Sequence, residues 1–276
     1  MKYRHGILTL PKHLLLVVTS VVIVFPVVWM ISSALKIPTE LFTEDIRIIP
    51  QQPTLQNFII AWRDYGVARW FLNSVVTAAG ITIGQIFSSI LAAYGFGVFT
   101  FRGRGPLFTI FLGSMIVPFQ VTMIPNYILI ANLGLLNTWW AVILPNLATA
   151  FGIFLLRQYF LAFPRDFFDA AKLDGANSWQ ILWRIAVPLG KAPIFALIVL
   201  FALDAWNMYF WPLLVLTEQT ARTIPIGLQQ FLDHEMGHRW GPFMATATLA
   251  SLPALLAYML AQKQIMSTFI TTGSKG

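Results

Sequence analysis

Apolar residues fall into six long blocks along this chain, separated by shorter polar or proline-rich stretches. The blocks run over residues 14–35, 73–99, 106–130, 138–156, 192–216 and 242–261. A helix needs about 20 mostly apolar residues to cross a bilayer. The last block is the weakest, being rich in Thr, Ser and Ala, but small-residue faces suit close helix packing in lipid. The pattern predicts an all-α polytopic membrane protein with six transmembrane helices in a single domain over residues 1–276. The first block follows Lys2, Arg4 and Lys12, as a secretory leader would. It is longer than the ~7–15 apolar residues of a leader, and no small-residue cleavage site follows. It reads as a retained anchor helix.

Composition supports a bilayer as the main solvent. Of 276 residues, 57% are hydrophobic and 11% charged, against about 25% charged in an ordinary soluble domain. There is no cysteine, so disulfide frameworks and thiolate metal sites are excluded. The net charge of +7 could suggest nucleic acid, but its distribution follows topology instead. With six spans, the side holding both termini carries twelve of the Lys and Arg residues and the other side six. The positive-inside rule places both termini in the cytoplasm, together with the 157–191 loop.

That loop is too polar to cross and too well punctuated to be a plain linker. Asp166 is placed to cap a short helix, with Asp169 near its positive end. Phe167, Phe168 and Ala171 give this helix an apolar side. Gly175 supplies the left-handed stop. Asn177 or Ser178 caps a second helix, whose Trp179, Leu182, Ile185 and Ala186 recur at helical spacing. Pro188 is expected to end it. The product is a helix–turn–helix over residues 164–190.

The residues of this hairpin form a specific pattern. Asp169-Ala170-Ala171, then Asp174-Gly175, then Ile185-Ala-Val187-Pro188 resembles the signature of binding-protein-dependent ABC importer permeases. That signature reads Glu-Ala-Ala, a spaced glycine, then Ile-x-Leu-Pro. Asp169 stands for Glu and Val187 for Leu, and both keep the chemical type. Asn73-Ser74, Leu91-Ala-Ala-Tyr-Gly-Phe96, Phe101-Arg-Gly-Arg104, Ile124-Pro-Asn-Tyr127, Leu133-Gly-Leu-Leu-Asn-Thr138, Trp206-Asn207 and Thr223-Ile-Pro-Ile-Gly-Leu228 resemble landmarks of the MalG-like carbohydrate-uptake family. So does the tail Thr271-Thr-Gly-Ser-Lys-Gly276.

The resemblance implies a bacterial inner-membrane permease subunit. It would work with a second homologous permease, a cytoplasmic ABC ATPase dimer using Mg-ATP, and an extracytoplasmic solute-binding protein that delivers a sugar, polyol or glycoside. Asp169, Ala170, Ala171, Asp174, Gly175, Ile185 and Pro188 would dock the ATPase. This chain has no Gly-x-x-x-x-Gly-Lys-[Ser/Thr] phosphate loop of its own. No cofactor and no enzymatic activity are therefore expected in it.

Two other classes compete. A self-sufficient secondary transporter commonly has two repeated halves, and no repeat is visible. His234-Glu-Met-Gly-His238 fits the His-Glu-x-x-His pattern of zinc proteases. Gly237 and Gly241-Pro242 oppose the helix that pattern needs, and no His, Asp or Glu follows His238, so no metal is expected.

Polar residues at membrane depth are costly and face protein or water. Asp204 is the main pathway or substrate candidate, followed by Asn207 and Tyr209, then Asn126 and Tyr127. Pro26, Pro118, Pro125, Pro145 and Pro253 allow kinks. Gly80 and Gly84 suit close packing within the chain.

Overall fold

The structure is a computed structural model that describes residues 4–41, 47–164, 166–232 and 239–273. Among these residues every regular element is helical. The longer helices are α1 (Arg4–Ala34), α2 (Gln56–Asp64) and α3 (Val67–Val98). Next come α4 (Arg104–Ile116), α5 (Phe119–Asn132), α6 (Trp139–Asn146) and α7 (Ala150–Ala162). They are followed by α8 (Asp166–Leu173), α9 (Ser178–Leu189), α10 (Lys191–Trp206), α11 (Phe210–Val215) and α12 (Trp240–Gly273).

Three described segments are long and apolar enough to cross a bilayer unaided: Pro11–Ala34, Val67–Val98 and Trp240–Met259. The count becomes six if each of three bent helix pairs is one span. The expected spans over 106–130 and 138–156 are thus not straight rods. The first breaks between α4 and α5 with a bend of 94°, and the second between α6 and α7 with 43°. The physical reason lies in the prolines. Val117 is extended before Pro118, because the proline ring crowds a helical residue ahead of it. Pro145 sits in a tight 3-10 turn at the end of α6. The 192–216 block is also divided. Helix α10 ends at Trp206 and α11 begins at Phe210. By contrast, Pro26, Pro125 and Pro253 stay inside continuous helices.

The chain forms two compact units, Met1–Ala68 with Gly227–Leu252, and Arg69–Ile226 with Pro253–Gly276. In the first, buried Asn57 donates from its amide to the carbonyls of Ala34 (2.9 Å) and Lys36 (2.7 Å). The Ala34 carbonyl ends α1 and has no partner inside the helix, and the Lys36 carbonyl lies two residues beyond it. The ammonium of Lys36 lies 4.3 Å from the Trp29 ring centroid. The apolar side chains of the Pro11–Ala34 segment are largely uncovered by the rest of the chain, as a lipid-facing helix requires.

In the second unit, α3 packs closely on α6. A Cβ on Gly80 would lie 2.6 Å from Ile143 Cδ1, and one on Gly84 would collide with Leu147. The two glycines therefore mark an approach within the chain, as their spacing suggests. The core of this unit most relevant to function gathers Ile90, Ala93 and Tyr94 of α3, Leu156 and Phe160 of α7, and Ile194, Leu197 and Phe201 of α10.

Candidate functional site

The hairpin of α8 and α9 builds itself from local hydrogen bonds. Asp166 and Asp169 lie in the first turn of α8, and Lys172 in its last. Asp166 was expected as the cap. It falls inside the helix instead, where its charge still favours the positive end. The end of α8 is closed twice: the Ala176 amide donates to the Ala171 carbonyl (2.9 Å) and the Gly175 amide to that of Lys172 (3.0 Å). This nested pair is a Schellman motif, which requires a left-handed residue, and Gly175 has φ +80°. Asn177 then starts α9 with a capping box. Its side chain accepts from the Gln180 amide (2.9 Å), and Gln180 Oε1 accepts from the Asn177 amide (2.8 Å).

Pro188 does not end α9. Residues Leu182–Ala186 form a wide π turn, and helical geometry continues through Val187–Leu189. A proline in a helix lacks the amide donor and presses on the carbonyl four residues earlier. One extra residue in the turn before it relieves that conflict, as π bulges commonly do.

The inner face of the hairpin is apolar and buried. Phe168, Ala171, Ile181, Leu182 and Ala186 join the core cluster of α3, α7 and α10, with Ile185 half-buried beside it. The expected stripe included Trp179, but Trp179 is 58% exposed. It stacks on Trp183 (ring centroids 6.2 Å apart), which stacks in turn on Phe87 of α3 (6.4 Å). The core side of α9 is set by Ile181 and Leu182, and the tryptophans lie away from it.

The outer face carries Asp169, Ala170, Asp174 and Gly175, all exposed. Asp169 pairs with Lys172 at 3.1 Å, an exposed pair that adds little stability. Two large apolar side chains also point outward: Phe167, 53% exposed, and Leu173, 90% exposed. Sequence reasoning passed over Leu173. Its signal was a large apolar residue lying off the Phe168/Ala171 stripe. Pro188 is exposed where the hairpin leaves for α10.

The neighbouring end of α3 is held by arginines. Arg157 Nε donates to the Phe96 carbonyl (2.9 Å), while its guanidinium lies 3.9 Å from the Phe108 ring centroid. Arg104 donates to the carbonyls of Gly97 (3.1 Å) and Phe99 (2.9 Å). These carbonyls lie at the negative end of a long helix, where cations are favoured. A crevice of about 230 Å³, lined in part by Thr100, Phe163, Asp169 and Lys172, opens beside them.

The polar candidates are only partly gathered. Asp204 is exposed on α10, and no hydrogen bond or ion pair to it occurs among the described residues. Asn207 turns back on its own helix, its amide donating to the Leu203 carbonyl at 2.8 Å. Tyr209 lies in the break before α11, edge-on to Phe210. Asn126 and Tyr127 occupy α5, and no hydrogen bond or ring contact joins them to the Asp204 group. His234, Glu235 and His238 lie outside the described residues. Among the described residues no cluster of three metal-ligating side chains occurs.

Residues 85–268 match a family model described as binding-protein-dependent transport system inner membrane component. That stretch contains the whole hairpin, its core cluster and Asp204. The chain belongs to this family. The permease is 34% identical over 258 residues to the probable ABC transporter permease protein YurM of Bacillus subtilis, covering 93% of this chain and 85% of that one. It is 32% identical over 260 residues to the arabinooligosaccharides transport system permease protein AraQ of Bacillus subtilis, covering 93% and 92%. It is 31% identical over 268 residues to the sn-glycerol-3-phosphate transport system permease protein UgpE of Brucella suis, covering 94% and 95%. Its fold is that of a bacterial ABC transporter involved in the import of the acidic polysaccharide alginate, with a TM-score of 0.85, 95% and 98% coverage and 21% identity. The family expected from the hairpin signature is the one found. These relatives are transport permeases rather than enzymes, and the protease reading of His234-Glu-Met-Gly-His238 gives way.

Proposed function

We propose that the permease is one of two transmembrane subunits of an ATP-driven importer for a neutral sugar, polyol or glycoside. In this reading six spans, two of them bent where α4 meets α5 and α6 meets α7, cross the cytoplasmic membrane with both termini inside. A second permease completes the pathway, an extracytoplasmic protein delivers the solute, and an ABC ATPase dimer holding Mg-ATP supplies the energy. The observation that carries this reading is the two-sided hairpin. Its inner face is buried against α3, α7 and α10, and its outer face offers Phe167 and Leu173 to a partner. A docked ATPase that moves the hairpin must therefore move the helices packed on it, because a dense core shifts as a unit.

Relatives in the family include systems named for arabinooligosaccharides and for sn-glycerol-3-phosphate, so family membership leaves the solute open. Asp204 favours the uncharged class. A carboxylate accepts hydrogen bonds from hydroxyls and repels a phosphate, most strongly where water is scarce.

Three measurements test the reading. With Gly175→Asp, the complex inserts and assembles while uptake and binding-protein-stimulated ATP hydrolysis are lost. The side chain opposes the left-handed turn and adds charge to the docking face. Unchanged stimulation in that variant removes the hairpin from the coupling role. With Asp204→Ala, uptake falls in an assembled complex, and normal uptake removes Asp204 from the pathway. The chain has no native cysteine. A cysteine at Leu173 should therefore react with an impermeant thiol reagent in inside-out vesicles only, and labelling in right-side-out vesicles reverses the topology.

A further inference from the structure

We infer that α3 is a connecting rod between the loop at residues 217–226 and the hairpin, and that Asn73 is the positioning residue that clamps the loop to it. The inference rests on the coupling role proposed above and names the part of the chain that carries it.

The loop has little regular structure of its own, only a three-residue turn at Gln219–Ala221 and the start of a short helix at Ile224. Its backbone groups need partners from elsewhere: Asn137 accepts from the Glu218 amide at 2.9 Å, and α3 supplies the partners of residues 219–224. The Asn73 amide donates to the carbonyls of Thr220 (2.9 Å) and Arg222 (2.9 Å). Its Oδ1 accepts from the Trp139 indole (2.8 Å). Trp70 donates to the Gln219 carbonyl (3.0 Å), and Ser74 Oγ accepts from the Ile224 amide (2.8 Å). Trp70, Asn73 and Ser74 are all buried. A buried amide with both donors and its oxygen engaged holds its neighbours firmly, and it tolerates poorly the loss of any one of them.

The same helix reaches the hairpin. Ile90, Ala93 and Tyr94 of α3 pack in one cluster with Phe168, Ala171, Ile181 and Leu182. Twenty residues separate Asn73 from Ala93, about 30 Å along a helix, which is the thickness of a bilayer core. Three helices contact the hairpin through this cluster. Helices α7 and α10 each belong to a pair bent by 43° or 79°. Helix α3 is unbroken over its 32 residues and contains no proline. A displacement of the loop, such as a docked solute-binding protein would impose, therefore reaches the hairpin through a continuous helix. It need not pass through a flexible break.

The test uses the complete importer in lipid nanodiscs, with both permeases, the ATPase and the binding protein. Stimulation of ATP hydrolysis by the binding protein is compared with the basal rate. Asn73→Leu keeps the branching and the number of heavy atoms and removes all three hydrogen bonds. Stimulation is expected to fall about tenfold, a typical coupling energy, while the basal rate and the subunit ratio stay at wild-type values. Trp139→Phe keeps an aromatic ring and removes the indole donor, and about a threefold loss is expected from that smaller change. In the cysteine-free chain, Asn73→Cys with Arg222→Cys restores stimulation when bridged by a short thiol cross-linker and loses it on cleavage. A merely structural role would not respond to the bridge. Full stimulation in Asn73→Leu or Trp139→Phe, a parallel fall of basal and stimulated rates, or no effect of the bridge overturns the inference. A wild-type complex that the binding protein fails to stimulate overturns the proposed function itself.

Discussion

The two ends of α3 carry a helical hairpin and an irregular loop, and they are held by opposite means. The hairpin is capped by its own residues and fastened to the helices by apolar burial. The 217–226 loop has few internal bonds and is fastened by side-chain hydrogen bonds to Trp70, Asn73 and Ser74 of α3 and to Asn137. Apolar packing is non-directional and tolerates a small slide of one face over another. Hydrogen bonds set a register and break beyond a few tenths of an ångström. One end of α3 is therefore suited to transmitting a shift, and the other to sensing position.

The contrast can be broken at several strengths. The largest effect is expected from Phe160→Ala, which opens a cavity under the hairpin and costs about 3–5 kcal/mol. The melting temperature of the purified permease should fall, and an unchanged value would mean the cluster does not anchor the hairpin. Next is Ser74→Ala, which strips the buried Ile224 amide of its acceptor at a cost of about 1–3 kcal/mol. Hydrogen exchange should rise over residues 219–226 while the hairpin keeps its protection. Equal loss of protection at both ends would abolish the distinction. Asn177→Ala removes the cap of α9 for about 1 kcal/mol, and faster exchange is expected in the hairpin alone. The smallest structural change is Leu173→Ala, within about 0.5 kcal/mol of wild type because the side chain is solvated. Its effect should appear only as weaker co-purification of the ATPase proposed to dock there, and a marked fall in melting temperature would place Leu173 in the core instead.

The hairpin was largely legible from the chain. Gly175 as a left-handed stop and Asn177 as a cap follow from bonds between residues three to five apart, and any sequence able to form them announces itself. The choice of inward aromatic was not legible. Trp179, Trp183 and Phe168 are comparable in type, and only Phe168 meets the cluster. The prolines teach the same point. Pro118 marks a 94° break, whereas Pro125, seven residues later, remains inside α5. The residue permits a bend, and the surrounding helices decide whether it occurs.

The sequence by itself determined the helical class, the placement of the apolar blocks and the capped hairpin with its family signature. Each of these depends on composition or on neighbours within a turn or two, so short windows contain the whole cause. The tertiary structure alone decided the bends, the inward face of α9 and the clamp on the 217–226 loop. Asn73 and Arg222 are 149 positions apart. No local pattern pairs them, because their bond exists only once α3 and the 217–226 loop lie in one packed unit.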